Sequence, residues 1–179
     1  MLHLNLPKRL RLLPFLALGL AAATAAPAEA ARQEVRMAGA GFAVSMPPGD
    51  LKTVDRPPED DTDEGTHLTY MTAGETTYFA AYIQFKPGTL GPLYAYFLLE
   101  GTHLTAEEPG DKLRSERRFE FGGHEAREAV VDTGNGETQT IRAYVVGDRL
   151  LATMALGPKR DDASEATRRF QGSFRLLPQ

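Results

Sequence analysis

The chain contains no cysteine among its 179 residues. This excludes thiolate nucleophiles, redox pairs, disulfide staples and Cys-based zinc sites, and removes the attachment residue of a bacterial lipoprotein. Basic charge is also short, with 20 Lys and Arg against 24 Asp and Glu and a net charge of −4. Nucleic acid calls for a basic surface and anionic lipid attracts basic segments, so neither is an expected partner. No apolar run reaches the roughly 20 residues that a membrane-crossing helix needs. The longest apolar stretch runs only from Leu12 to Ala26. A phosphate-binding glycine loop is missing, and so is G-x-S-x-G. Ser173 in "QGSF" lacks the second glycine and the strand-to-helix elbow of such a nucleophile.

What is present begins with a leader. Lys8, Arg9 and Arg11 precede the apolar run, and small residues follow it with Ala-x-Ala sites at 23–25 and 28–30. Basic, then apolar, then small is the order of a secretory signal peptide, assigned to residues 1–30. An uncleaved membrane anchor is the alternative. Cleavage after Ala30 would remove three basic side chains and one acidic, moving the net charge from −4 to −6. The expected product is periplasmic or secreted, with no stable membrane insertion. About 150 residues suit one domain with a real core, so packing alone must hold it.

Residues 31–40 read as a polar lead-in to a single domain spanning 41–179. "GFAVSMPPG" (41–49) alternates Phe42, Val44 and Met46 with small residues and ends at paired prolines, which predicts a strand. Residues 50–66, rich in proline and acid, read as a loop. "HLTYMTAG" and "TTYFAAYIQF" predict two strands joined around Gly74 and Glu75. From 88 to 111 the period changes. Pro92 suits a first helical turn, and Leu93, Phe97, Gly101 and Leu104 recur at helical spacing beside Leu90, Tyr94 and Leu98. This predicts the main helix, stopping before Pro109-Gly110.

Beyond residue 112 four strands are predicted as an antiparallel meander, punctuated by Gly122-Gly123, Asn135-Gly136 and Gly147-Asp148. In the last two strands Ile141, Ala143 and Val145 lie on one face and Tyr144 and Val146 on the other, so both faces need cover. A second helix is expected within 161–174, with an Asp or Ser cap, Arg168-Arg169 in its last turn, and Ala166 and Phe170 inward. Phe174, Leu176 and Leu177 would close the core. The fold class expected is α+β: an antiparallel sheet with helices on both faces, an α/β/α sandwich.

Three motifs imitate chemistry. Asp132-Thr133-Gly134 after two apolar residues reads like an aspartic-protease loop. That reaction needs two carboxylates sharing one proton, and the chain has one such motif. Gly147, the imitation of the supporting glycine, lies too close to Asp132 for the strands of that fold. Asn135-Gly136 instead marks a tight hairpin. The stretch from His124 to Glu128 resembles a zinc-protease motif with its second His replaced by Glu, and it enters a predicted strand rather than a helix. "EGTHLT" occurs at 64–69 and again at 100–105, so His67 and His103, with His124, are the candidate metal ligands. No longer unit recurs around the two copies, which makes coincidence the plain reading. In the acidic run 59–64, Asp61, Asp63 and Gly65 do not keep EF-hand spacing, and Thr72 stands at the closing position. No cofactor is expected.

"GFAVSMPPG" at the start, a central helix, "TIRAYVVGDRLLATMALGP" and "ATRRFQGSFRL" at the end resemble exported bacterial proteins with the PsbP-like α/β/α sandwich, over about residues 41–177. PsbP is an extrinsic subunit of photosystem II, and a Ran-binding nuclear import factor shares the fold. The resemblance implies a non-catalytic module that docks on an envelope protein or complex, with no family active site to carry over. Fold does not fix function, and a photosynthetic role does not follow. The alternative is a periplasmic carrier of a small ligand or metal. It requires a pocket of at least about 300 Å³ with a few converging polar groups, for which Tyr70, Tyr78, Tyr82, Tyr94 and Tyr96 are candidate linings.

Overall fold

Tight turns at glycine lay out the elements. At Asn135-Gly136 and Gly147-Asp148 the glycines adopt φ of 85° and 59°, the left-handed region that closes hairpins with little steric cost. The computed structural model describes residues 32–58, 61–100, 110–159 and 163–178. In order these form β1 (Gln33–Met37), a 3-10 turn (Ala38–Ala40), β2 (Phe42–Met46), β3 (Lys52–Arg56), β4 (Asp63–Ala73), β5 (Thr76–Phe85), α1 (Pro92–Glu100), β6 (Lys112–Phe121), β7 (His124–Asp132), β8 (Glu137–Val146), β9 (Arg149–Pro158), α2 (Glu165–Gly172) and β10 (Arg175–Leu176). Seven strands make one antiparallel sheet in the order β3-β4-β5-β9-β8-β7-β6, and β1-β2-β10 make a second. Among the described residues no helix is long and apolar enough to cross a membrane.

The α/β/α sandwich, one sheet between helical layers, is not what forms: the described residues are mostly antiparallel β, with a second sheet over one face. On one face of the large sheet the cover is the small sheet together with α2. Val35, Met37, Phe42, Val44, Met46, Phe170 and Phe174 pack there against Met71, Tyr78, Tyr144, Val146 and Leu151. On the other face Leu98 and Leu99 of α1 pack with Phe85, Ala143 and Leu150. The physical reason lies in residues 31–40. Expected as a lead-in, they hold a strand whose Val35 and Met37 turn inward while Glu34 and Arg36 face solvent. That strand pairs with β2 and supplies the second layer. Residues 50–66 are corrected in the same way: Lys52–Arg56 is an edge strand on β4, which itself begins at Asp63. Of the expected main helix, Pro92–Glu100 is helical, and residues 101–109, including Leu104, lie outside the described residues.

α2 starts as its sequence dictates. Ser164 caps it, accepting from the Thr167 amide at 3.1 Å, with Glu165 in the first turn and Arg169 in the last. Its inward face keeps Phe170, as expected, but not Ala166. Thr167, Phe170 and Gln171 are buried, and Ala166 is exposed. Gln171 turns inward because the sheet supplies partners: its amide donates to Thr140 O at 3.1 Å and its oxygen accepts from Thr153 Oγ1 at 2.5 Å. Beyond α2, Phe174 stacks on Tyr144 with ring centroids 3.9 Å apart.

Cross-strand ion pairs bind the late meander. Glu128 accepts from Arg117 at 2.7 Å and from Arg142. Asp132 accepts from Arg114, from Thr138 Oγ1 at 3.0 Å, and pairs with Lys159 at 3.1 Å. Burial alone would raise both carboxyls; the hydrogen bonds and cations around them outweigh it and hold both below the ordinary carboxylate range.

Two outcomes follow for stability. Phe170→Ala removes a fully buried ring and should cost about 3–5 kcal/mol in denaturant unfolding, whereas Ala166→Ser should stay within about 0.5 kcal/mol. A carboxyl whose folded pKa is depressed contributes stability above its unfolded value and loses it as pH falls. Unfolding measured at pH 7 and at about pH 3.5 should therefore show a larger acid loss for the wild type than for Glu128→Gln.

Candidate functional site

A groove of about 420 Å³ opens where the β1–β2 hairpin overhangs the β3-β4-β5 edge of the large sheet. A bulge between Asp63 and Gly65 shapes one end of it. Gly65 takes φ 122°, and a Cβ there would stand 2.6 Å from the Arg56 carbonyl, so the bulge accepts glycine alone. The hairpin approaches as closely at Gly39, where a Cβ would lie 3.0 Å from the Tyr82 hydroxyl. Beneath it the Tyr82 and His67 rings sit 5.3 Å apart at 30°. Register places Asp55 opposite His67 and His67 opposite Tyr82. The Asp55 carboxylate meets His67 Nδ1. Gln84 extends the floor, its amide donating to Phe85 O at 2.8 Å and Asp148 O at 3.3 Å.

An aspartate on a histidine Nδ1 is how a general base is oriented. The base then needs a nucleophile on its other nitrogen; the groove lining contains neither serine nor cysteine, and its one hydroxyl of that kind, Thr66, pairs with Arg56 in the register rather than with His67. The Asp55 side chain is 76 % exposed and that of His67 31 %, so the pair is wet. Burial, which makes such chemistry strong, is missing. The arrangement presents polar groups that can recognise a polar partner.

Of the candidate metal ligands, His67 and His124 do not share a site. His67 lies on β4 and His124 on β7, with β5, β9 and β8 between them, a separation of about 19 Å at the usual strand spacing. His103 lies outside the described residues. Among the described residues no group of three His, Asp or Glu converges to hold a metal ion. Asp132 stands at the end of β7, before the hairpin turn, bound to two cations and a hydroxyl rather than to a second carboxylate. In the zinc-motif imitation, Glu128 is the ion-paired strand residue already described. Ser173 closes α2, donating to Phe170 O at 2.6 Å.

Of the tyrosines, Tyr82 lines the groove. Tyr78 is buried in the core against Phe170, and Tyr70 stacks on Phe79. Tyr96 is exposed beneath the Arg118 guanidinium. The Tyr94 side chain lies outside the described residues. Asp55 and Gly39 escape sequence reasoning, because they belong to segments read as a loop and a lead-in. The signal that could have found them is the alternating Lys-Thr-Val-Asp-Arg of β3, whose register against "THLTY" sets Asp55 opposite His67.

No protein-family model matches this sequence, and no curated protein matches it. Solved structures do resemble it. The solution structure of the cyanobacterial PsbP of Synechocystis superposes with a TM-score of 0.55 at 12% identity, covering 89% of this chain and 99% of that one. The Ran-binding protein Mog1p of Saccharomyces cerevisiae matches more loosely, with a TM-score of 0.45 at 9% identity, over 82% of this chain and 96% of its own. A Pseudomonas aeruginosa protein of unknown function covers 71% of this chain and 83% of its own at 12% identity, with a TM-score of 0.37. The first of these likenesses shows that the chain has a PsbP-like fold.

Proposed function

We propose that this protein is an exported, non-catalytic module that docks on an envelope protein or complex after loss of residues 1–30. The observation that carries the reading is the wetness of the groove. Small-molecule sites enclose about 70–90% of their ligand, whereas the Asp55 side chain here is 76 % exposed. A small ligand in so open a groove would keep most of its surface in water. A macromolecule would cover the groove together with its surroundings, and a few hydrogen-bonding groups at its mouth would then fix the orientation of the partner. The PsbP-like fold is compatible with such docking without specifying it. The basic-apolar-small leader supports export.

A small-ligand carrier is the second reading, favoured by the groove's volume of about 420 Å³. The two separate on one preparation. The protein isolated from its own envelope should have the intact mass of a chain beginning at Ala31, and mild cross-linking should join it to one discrete protein. Native mass spectrometry that finds a bound small molecule and no cross-linked partner would favour the carrier and sink the docking reading.

A further inference from the structure

We infer that the groove receives one cationic group, a guanidinium or ammonium on a side chain of the docked protein; this rests on the docking reading above. The charged residues that line the groove are Asp55, Glu64 and Arg56, with His67 beside them, so carboxylates outnumber the permanent cation two to one. Asp55 engages His67 Nδ1 through Oδ1, which leaves Oδ2. Glu64 is exposed at the bulge. The Gln84 amide nitrogen is engaged by two backbone carbonyls, so its oxygen is the atom left for a ligand. At Gly65 the missing side chain opens the way to the Arg56 carbonyl. Asp55 and Arg56 alternate along β3, with Asp55 opposite His67 and Arg56 opposite Thr66. The Asp55 carboxylate therefore shares the face of His67 and Tyr82, while Arg56 also lines the groove.

The rings supply the other half of the chemistry. Tyr82 and His67 stand 5.3 Å apart, and an aromatic face next to carboxylates is where a cation gains both charge-assisted hydrogen bonds and quadrupole attraction. Gly39 lets the hairpin press to within contact of the Tyr82 hydroxyl, so the ring is held in place before any ligand arrives. A neutral or anionic group would leave the Glu64 carboxylate unanswered once a partner excluded water from it. The groups are exposed, so a single residue should bind weakly and the remainder of the interface must supply the affinity.

The test uses the mature chain and three probes followed by amide and ring NMR shifts: N-acetyl-arginine amide, N-acetyl-lysine amide and the neutral N-acetyl-norleucine amide. The expected result is saturable shifts centred on His67, Tyr82 and Gln84 with the two cationic probes, and at least about tenfold weaker response to the neutral one. Glu64→Gln, an exposed substitution away from the His67 contact, should weaken the cationic response by roughly threefold to tenfold, and Asp55→Asn with Glu64→Gln should abolish it while the remaining spectrum stays that of the wild type. Equal response to the neutral probe, or no response at these residues, overturns the inference. Cross-linking in the envelope with the double variant separates the two readings. A partner captured by the wild type and lost by the variant supports both. A partner captured equally by both leaves docking standing and removes the groove's role. No partner with either protein removes the docking reading itself.

Discussion

The large sheet depends on one pairing between strands distant in sequence. β5 lies against β9 from Thr77 opposite Leu156 to Gln84 opposite Arg149. On one side of that seam stand β3, β4 and β5, on the other the meander β6 to β9. Each half alone would leave a long open edge of unmatched amides and carbonyls, which costs free energy wherever it is buried. Joined, they make a surface wide enough to carry the small sheet and α2 on one face and α1 on the other. The residues that meet across the seam, Phe79 with Met154 and Tyr82 with Leu151, are packed on opposite faces of the sheet. The groove also depends on it, because Tyr82 and Gln84 are held on one side by β4 and on the other by β9.

Much of this was legible in the sequence, and the reason differs from element to element. The late meander shows itself through Gly122-Gly123, Asn135-Gly136 and Gly147-Asp148, since hairpin turns place narrow demands on the backbone. Phe42, Val44 and Met46 announce β2 by alternation, and all three are buried. β1 was hidden because only Val35 and Met37 of its five residues are apolar and three polar side chains surround them. β3 was hidden for the opposite reason. As a strand at the sheet's edge it is largely exposed and carries no burial pattern to read; only its pairing with β4 makes it a strand. Missing these two removed both the second sheet and the groove, for Gly39 follows β1 and Asp55 belongs to β3. The helix expected within 161–174 forms as α2, but it shares its face with the small sheet instead of covering it alone.

The apparent chemical motifs were resolved by geometry rather than by residue identity. Asp132 and Glu128 each occupy a position where a carboxylate would be expensive to bury without cations, and each has two. Apart from Lys159, just past the end of β9, their partners come from neighbouring strands, so these charges fix register in the meander. The His67–Asp55 pair differs in being at the surface, on two adjacent strands at the sheet's end. That contrast, charges enclosed and matched in the meander against charges open to solvent beside the hairpin, is what separates the structural polar groups of this molecule from those available to another.

The second and last strands of the described fold meet. β2 pairs with β10, Phe42 opposite Leu176, and the Ser45 amide donates to Ser173 Oγ at 2.9 Å. During synthesis the N-terminal strands must therefore wait for the C-terminal residues before their layer can close. Contacts of such sequence separation form slowly, since loop closure precedes the reward. The small-sheet layer of such a chain stays incomplete until β10 has been made, so the face of the large sheet beneath it is the last to be covered.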